Sequence, residues 1–498
     1  MALNYSMSTS SDNGFGEFIL KENKHYWPRM LILVTVQFIL FKFCFPFPDF
    51  ISDSYNYILG AQLHLDVNIW PIGYSRFLST FHWFTTSAFA LVLFQYSMYI
   101  FSASYFYFTL IYFYKTGRFT RIMLSVVLFF NPLLLFLANY VSSDTLFASM
   151  STIWLTQLIW VIRRPKPVQI FVQAGLMLIL FSFRYNAMIY PILSAIAFSL
   201  SPQVVWRKFL GVITGPTLIL LFIIWSSGAA KKLTGTAQFP PILGGWQWGN
   251  NALYMRGYIK EDTAAFPSQE TAELDRISRK FFSRPDHPLS YIASSMGNFF
   301  IIHPEAPLKQ YVMGHYTIDS YNTYVASWGK AAVIYDKYGK FLIRRHLLAY
   351  ARYYLFVNAE NYCLPPLEHL EPYNMGQTTM WPIGQEWFEY ASPRVWCLSS
   401  GLKEICWAPS SLLFLLANLY FVFGLAAFIH QGGIRKSDLF VRQTVALITL
   451  FWLLNAAFSI FANIIVIRYQ IFPLVVLFSF GQLLLEFTEK IPKLNKVT

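Results

Sequence analysis

The 498-residue sequence has few charged residues: Asp, Glu, Lys and Arg make up 13% of it, against about a quarter of a typical soluble domain. Hydrophobic residues make up 55% and aromatic residues 19%. So few charged groups cannot cover the surface of a water-soluble protein of this length, and much of that surface must face lipid. The composition therefore predicts an integral membrane protein.

The sequence also lacks the motifs of several other classes. It contains no Walker loop and no GxGxxG element, so nucleotide hydrolysis by this chain has no support. No cluster of His, Cys, Asp and Glu has the spacing of metal ligands. The net charge of +13 comes from short Lys and Arg clusters between apolar runs, which is typical of membrane topology and of contact with anionic lipid. We therefore expect a lipid bilayer, and no nucleic acid, as a partner.

Cysteine is scarce, with four residues in the chain. Cys44 falls in the first apolar run, where a buried free thiol is expected. Cys363, Cys397 and Cys406 fall in a long polar segment, where one disulfide is an alternative if that segment lies in an oxidising compartment. The pairing stays open.

Ten apolar runs predict transmembrane helices, some of them short for a hydrocarbon core of ~30 Å. The first follows a basic stretch and ends in "FPFPD" without a small-residue cleavage site, which predicts a retained signal anchor. The runs are residues 29–46, 86–113, 122–139, 144–162, 168–183, 187–200, 209–227, 408–429, 443–462 and 470–487.

With ten spans, every basic loop cluster lies on the same side as the basic N-terminus, which the positive-inside rule assigns to the cytoplasm. We therefore predict an all-α multi-pass protein of the plasma (inner) membrane with a mainly α extracytoplasmic domain. Its parts are a cytoplasmic tail (1–28), an N-terminal transmembrane module (29–227) with a first extracytoplasmic loop (47–85), the extracytoplasmic domain (228–407), the C-terminal transmembrane helices (408–487) and a cytoplasmic tail (488–498). Helical runs in the domain are predicted near 268–283, 289–300 and 340–357.

Two stretches outside the spans carry further expectations. "SDSYNYILGAQLHLDV" suits an interfacial helix capped by Ser52 or Asp53, and Pro71 and Gly73 separate it from a second helix. "GGWQWGNNALYMRGYI" combines aromatic rings, amides and an Arg, as carbohydrate-binding surfaces do. An ordinary small core is the favoured interpretation of that stretch.

A carboxylate near the hydrocarbon of a membrane is energetically costly, so its presence there needs a reason. Acidic and basic residues are predicted to lie together at the outer membrane surface. Arg184 and Arg468 run against the positive-inside bias, and each precedes a Tyr. A guanidinium group grips phosphate at two points, so this level suits a ligand with a lipid tail and an anionic head. Helix capping by the acids and snorkelling of the arginines stay open as alternatives. The residues predicted at this level are Asp49, Asp53, Asp144, Arg184 and Arg468.

Five stretches, in their order and shared sidedness, resemble the C-type (GT-C) membrane glycosyltransferases, which include protein O-mannosyltransferases and the aminoarabinose transferase that modifies lipid A. The resemblance covers the chain up to about residue 230 and the last spans, and it does not extend to 228–407. The stretches are "SDSYNYILGA", "WPIGYSRFL", "NPLLLFLANYVSSDTLF", "FRYNAMIYP" and "RYQIFPLVV".

The resemblance implies transfer of a sugar from a polyprenyl-phosphate donor to an extracytoplasmic acceptor, which is a protein, a lipid or a glycan. It implies that Asp53 is the catalytic carboxylate. From their positions, Asp49 is the alternative base, and Asp144 is expected to help orient the acceptor or the base. Many members have an Asp-Glu pair in the first loop, whereas Ser54 follows Asp53 here. Participation of a divalent metal therefore stays open, and no other cofactor is expected.

Donor phosphate is expected to bind Arg184 and Arg468, with Arg76 a weaker candidate. Arg76 and Lys42 are better explained as interfacial anchors. Two alternatives to the transferase remain: a flippase or transporter of lipid-linked glycans, and a glycan polymerase or ligase. Transporters usually place ionisable groups at the bilayer midplane within repeated halves, and neither feature is visible in this sequence.

Overall fold

The computed structural model describes residues 14–284, 297–367, 370–462 and 465–490. The structure is 77% helical, and its described residues form no β-strand. Within the described ranges, eight helices are long and apolar enough to cross a membrane. An all-α, multi-pass membrane protein is thus confirmed. These helices are Tyr26–Cys44, Ala88–Tyr114, Arg118–Asn139, Asp144–Arg163, Val205–Thr234, Ser400–His430, Leu439–Ala462 and Ile467–Lys490.

Two shorter apolar helices, Val168–Phe183 and Tyr185–Leu200, coincide with the remaining two predicted spans. The Arg118–Asn139 span is broken into Arg118–Phe129 and Pro132–Asn139. The break arises because Pro132 cannot donate a backbone hydrogen bond, while the Asn131 side chain accepts one from Leu133 N (3.1 Å) and starts the second helix. The second half ends at Asn139, which leaves a short turn before the next span begins at Asp144.

The spans connect alternately at two ends of the bundle. At the first end, which carries the basic clusters, Gly117 N donates to Glu486 Oε1 (2.8 Å) and Gln443 Nε2 donates to Leu200 O (3.4 Å). We call this the basic end, and the opposite end the site end. The connections that follow the helix ends at Cys44, Asn139, Phe183 and Ala462 lie at the site end.

Between the spans Val205–Thr234 and Ser400–His430, the described residues of an insert (243–284 and 297–355) are mainly helical and form a second hydrophobic core that includes Trp246, Trp328 and Tyr335. The first loop supplies two short helices, as predicted, and its Val67 and Ile69 join this core. The helices are Ser52–Gln62 and Gly73–His82 in the loop, and Leu243–Arg256, Gln269–Phe282, Phe299–Ile302, Pro307–His315, Tyr321–Arg345 and Leu347–Tyr350 in the insert. Of the predicted run 289–300, residues 289–296 lie outside the described residues.

Glycines set the closest helix contact of the insert. A Cβ on Gly245 would lie 1.9 Å from Ala332 O, and one on Gly339 would lie 2.2 Å from Trp248 O. Only glycine permits such an approach, so the backbones of Leu243–Arg256 and Tyr321–Arg345 touch. The insert is held against the first loop by Tyr321, whose hydroxyl donates to Asn68 Oδ1 (2.8 Å). The loop and the insert together cover the site end.

All four cysteines are free thiols. The alternative of a disulfide among Cys363, Cys397 and Cys406 is therefore not realised in this structure.

Candidate active site

A cavity of about 1040 Å³ lies at the site end, between the membrane helices and the insert. Asp53, Arg184, Arg468 and Tyr469 line it on the side of the membrane helices. The sequence separations are large, with Asp53 and Arg468 415 positions apart. The fold therefore brings together the acid and the two arginines that were predicted at one level of the membrane surface.

The charged side chains form an alternating chain of acids and bases. Arg468 Nη2 donates to Asp53 Oδ2 (2.6 Å), and Arg468 Nη1 donates to Asp144 Oδ2 (3.2 Å). Arg184 Nη1 donates to the other carboxylate oxygen of Asp144. None of the four side chains is more than 10% exposed. Burial of an ion costs several kcal/mol unless it is paired, so two carboxylates and two guanidinium groups stabilise one another here.

Local structure explains how Asp53 reaches this chain. It lies in the first turn of Ser52–Gln62, but Ile51 precedes that helix and its amide donates to Ser54 Oγ (3.0 Å). The Asp53 carboxylate therefore pairs with Arg468 rather than capping its own helix. This outcome argues against the capping alternative for Asp53.

Asp144 is more deeply buried than Asp53, and its carboxylate accepts hydrogen bonds from three side chains. It opens the span Asp144–Arg163, and Ser142 Oγ donates to its Oδ2 (2.8 Å) in addition to the two arginines. With its oxygens occupied in this way, Asp144 fixes the positions of both guanidinium groups. Its geometry suits an assisting role better than proton transfer.

Both arginines sit where helices are interrupted. Arg184 has an extended backbone between Val168–Phe183 and the 3₁₀ turn Tyr185–Ile189, and Arg468 lies in the 3₁₀ turn Ile467–Gln470 before the last long helix. An interruption turns the side chain sideways into the cavity instead of along the helix surface. The snorkelling alternative is not what the structure shows, because both guanidinium groups are buried and paired.

The ring of Tyr469 makes cation–π contacts with both arginines. The Cζ atom of Arg184 lies 3.8 Å from the centroid of the Tyr469 ring, and that of Arg468 lies 4.8 Å away. A ring face attracts cations, so Tyr469 lets two like charges lie near each other. Sequence reasoning did not assign a role to Tyr469, although the Arg-Tyr pair at both helix interruptions was a signal.

Tyr57 contributes a hydroxyl from the first-loop helix. Its oxygen lies 3.2 Å from Ser143 Oγ, beside the acids. Burial raises the pKa of the Tyr57 phenol, so the hydroxyl stays protonated at neutral pH.

The mouth of the cavity is apolar. The large hydrophobic lining residues that are exposed at the surface are Met188 (47%), Ile302 (41%), Leu347 (62%), Phe461 (57%) and Trp248 (36%). Phe461 lies in the last turn of the span Leu439–Ala462, and Met188 lies in the short turn that begins the Tyr185–Leu200 helix. This rim therefore continues the surface that apolar helices present to lipid. The site is thus charged at its inner end and apolar at its opening, which is the complement of an amphiphile with a charged head.

Comparisons with protein-family models, with curated proteins and with solved structures find no match to this chain. The arrangement of the cavity residues is therefore the basis for any proposal about function.

Three residues that the sequence predicts at the membrane surface lie outside the cavity. Asp49 does not line the cavity: its carboxylate accepts from Lys403 Nζ (2.5 Å) and Asn374 N (2.9 Å), and both charged side chains are buried. This ion pair joins the start of the span Ser400–His430 to the first loop. The partner of Asp49 is 354 positions away in the chain, and no sequence pattern pointed to it.

Arg76 is also outside the cavity, in an exposed ion pair with Asp66 (2.5 Å). Lys42, expected at the interface, is instead buried and donates to Asn139 Oδ1 (3.0 Å). Arg76 thus keeps a surface position, and the anchor interpretation of Lys42 is wrong. Among the described residues, no group of three or more His, Cys, Asp and Glu side chains is placed to hold a metal ion.

Proposed function

We propose that this chain is a membrane glycosyltransferase that moves a sugar from a polyprenyl-phosphate donor to an acceptor hydroxyl on a protein, lipid or glycan. One observation carries the proposal: a single cavity combines a carboxylate and two guanidinium groups with an apolar mouth. We further propose that the site end faces the extracytoplasmic side of the plasma membrane, since the basic clusters lie at the opposite end.

The donor fits the two halves of the cavity. Its phosphate is the anionic head that Arg184 and Arg468 would bind, and its polyprenyl tail would leave through the rim at Phe461 and Leu347 into the bilayer. A donor that already carries an activated sugar needs no nucleotide-binding element, in agreement with the absence of such motifs from the sequence.

The proposed step is a single displacement at the anomeric carbon. The acceptor oxygen bonds to that carbon as the carbon–oxygen bond to phosphate breaks, and polyprenyl phosphate leaves with the electron pair. Asp53 accepts the proton that the acceptor hydroxyl loses. The guanidinium groups stabilise the charge that grows on the leaving phosphate, and attack from the opposite face inverts the anomeric configuration.

Donor binding and release of the base are coupled in this scheme. Both terminal amino groups of Arg468 are bound to carboxylates, one of them that of Asp53. A phosphate that bonds to Arg468 competes with Asp53 for the same donors. Arrival of the donor would therefore free the Asp53 carboxylate to face the acceptor.

The test uses the purified full chain in phospholipid nanodiscs with polyprenyl-phosphate mannose, glucose and aminoarabinose. Asp53→Asn should abolish transfer while donor binding is retained. Asp66→Asn, an exposed acid in the same loop, is the matched control. Undiminished transfer by Asp53→Asn would exclude this residue as the base.

Two outcomes would replace the proposal. Translocation of a fluorescent lipid-linked sugar across proteoliposomes without any new glycosidic bond would identify a flippase. Products that grow by many sugar units from one lipid-linked glycan would identify a polymerase, and transfer of a whole glycan would identify a ligase.

A further inference from the structure

The helix Leu243–Arg256 has two faces with different surroundings. One face is core: Trp246 and Leu253 are fully buried, and Gly245 touches the backbone of Ala332. The stretch "GGWQWGNNALYMRGYI" thus forms a small core, as favoured from sequence, but only with this half of its residues. The backbone contact fixes which way the other face points.

The other face lines the cavity. Gly244, Gln247, Trp248 and Asn251 are all lining residues, and their spacing of three, four and seven positions places them on one side of the helix. Gln247 Nε2 donates to Asn251 Oδ1 (2.7 Å), so the two amides are ordered with respect to each other. Trp248 presents its ring at the mouth, and Lys340 Nζ lies 5.6 Å from the ring centroid.

This wall is polar without being charged. Among the described cavity-lining residues of the insert, none carries a charge, and the polar groups are the amides of Gln247, Asn251 and Asn298 and the hydroxyl of Tyr350. Trp70 of the first loop faces the same cavity. Such a wall has no cationic group to neutralise a phosphate or a carboxylate. It offers donors, acceptors and ring faces to a neutral ligand.

We propose that Gln247, Trp248 and Trp70 bind an uncharged, polyhydroxylated ring, that is, a saccharide, with Asn251 orienting Gln247. An amide has both a donor and an acceptor for neighbouring hydroxyls, and an aromatic face packs against the C–H face of a sugar. The ring is either the sugar of the lipid-linked donor or part of an acceptor glycan. The assignment deepens the proposed function and rests on it for the link to catalysis, whereas saccharide binding stands independently.

The first experiment measures binding without catalysis. Saturation-transfer difference NMR on the full chain in nanodiscs would use methyl glycosides of mannose, glucose, galactose and N-acetylglucosamine. We expect saturation transfer to at least one of them. Gln247→Ala and Trp248→Ala should weaken its binding by about tenfold or more, because a site built to bond hydroxyls loses its partner. Gln310→Ala, an exposed Gln of the insert outside the cavity, should leave it unchanged.

Gln247→Glu keeps the side-chain size and guards against a folding artefact. It should weaken binding of the neutral glycoside while the protein stays monodisperse and unfolds at the wild-type temperature. Wild-type binding in both Gln247 variants and in Trp248→Ala would overturn the proposal, as would the absence of saturation transfer from every glycoside.

The second experiment separates the two sources of the ring. If the wall binds the donor sugar, Gln247→Ala raises the KM for polyprenyl-phosphate sugar, including in slow transfer to water. If it binds an acceptor glycan, only the KM for added methyl glycoside rises. Glycoside binding in a wild-type protein that neither transfers nor hydrolyses would remove the proposed function and keep the saccharide site. Normal transfer with unchanged KM values in all variants would keep the proposed function and remove the saccharide site.

Discussion

Arg468 Nη2 lies 2.6 Å from Asp53 Oδ2, although the two residues belong to opposite ends of the chain. The same guanidinium group reaches Asp144, which also holds Arg184. Two buried carboxylates and two buried guanidinium groups depend on one another here, because a buried charge left without its partner is strongly destabilising. The predictions below use that dependence.

Replacement of Arg468 should affect donor use more than acceptor use. Loss of one group that stabilises developing negative charge typically lowers kcat by about 10²–10³-fold, so Arg468→Ala should fall in that range. Arg468→Lys keeps the charge but not the two-point contact and should be intermediate. Transfer kinetics with varied donor and fixed acceptor provide the measurement, and Arg76→Ala is the exposed control. Wild-type donor kinetics in Arg468→Ala would reduce this residue to a structural role.

Removal of the Asp144 carboxylate should destabilise the fold and disorder both arginines. Breaking a buried ion pair costs about 3–5 kcal/mol, whereas an exposed pair contributes about 1 kcal/mol or less. Asp144→Ala should therefore lower the free energy of unfolding much more than Asp66→Ala, as measured by SDS titration of detergent-solubilised protein. Equal losses in the two variants would contradict the arrangement of the cluster.

The Asp49–Lys403 pair should be structural. Asp49→Ala and Lys403→Ala should each cost about 3–5 kcal/mol of unfolding free energy, and the double variant less than the sum, because each single change leaves a buried charge unpaired. The KM for the donor should be unchanged in the protein that remains folded. A loss of kcat in Asp49→Asn that matches that of Asp53→Asn, without destabilisation, would return Asp49 to the active site.

The Tyr469 ring should matter more than its hydroxyl. Its ring lies close to both guanidinium groups, and a cation–π contact contributes about 0.5–2 kcal/mol, or roughly 2- to 30-fold in affinity. Tyr469→Leu should raise the KM for the donor by that factor while Tyr469→Phe stays near wild type. Tyr185→Leu, which removes the other Tyr that follows an Arg in the cavity, serves as the comparison. Equal effects of the Leu and Phe changes at position 469 would argue against the ring.

Lys309 in the insert should lose its proton at a lower pH than an ordinary lysine. Burial lowers the pKa of its ammonium group from 10.5 to about 8, and the Trp328 ring lies 4.2 Å from Nζ. Between these two pH values the unfolded chain binds more protons than the native one, so this group makes the protein more stable as pH rises from about 8 to 10.5. Acetic anhydride labelling followed by mass spectrometry should show the rate at Lys309 rising near pH 8, with Lys330 as an exposed reference. A rise only near pH 10.5 would contradict the burial of this amine.

Sequence reasoning located the membrane helices and four members of the charge cluster for the same reason. Hydrocarbon tolerates apolar runs and penalises charges, so runs mark spans, and Asp53, Asp144, Arg184 and Arg468 stand out at their ends. The penalty does not say which partner neutralises each charge. Asp49 and Asp53 looked alike four positions apart, and only the tertiary structure shows that one meets Lys403 and the other Arg468.

The roles of aromatic and amide residues were harder to predict. Tyr469 and Gln247 are ordinary residues in an aromatic-rich chain, and they carry no penalty that draws attention to them. The 3.6-residue period of a helix would have placed Gln247 and Trp248 on a different face from Trp246 and Leu253. It would not have shown which of the two faces lines a cavity. That depends on the packing of Leu243–Arg256 against Tyr321–Arg345 through their glycines.

The equal numbers of carboxylates and guanidinium groups around Arg468 have an electrical consequence for the proposed reaction. A phosphodiester that enters brings one negative charge to a neutral cluster. During transfer the hydroxyl proton passes to Asp53 while the leaving phosphate gains a charge, so the sum inside the walls does not change. The reaction can therefore proceed in the cavity without any ion crossing the surrounding hydrocarbon. The net charge of the cavity changes only later, when the proton leaves Asp53 for water.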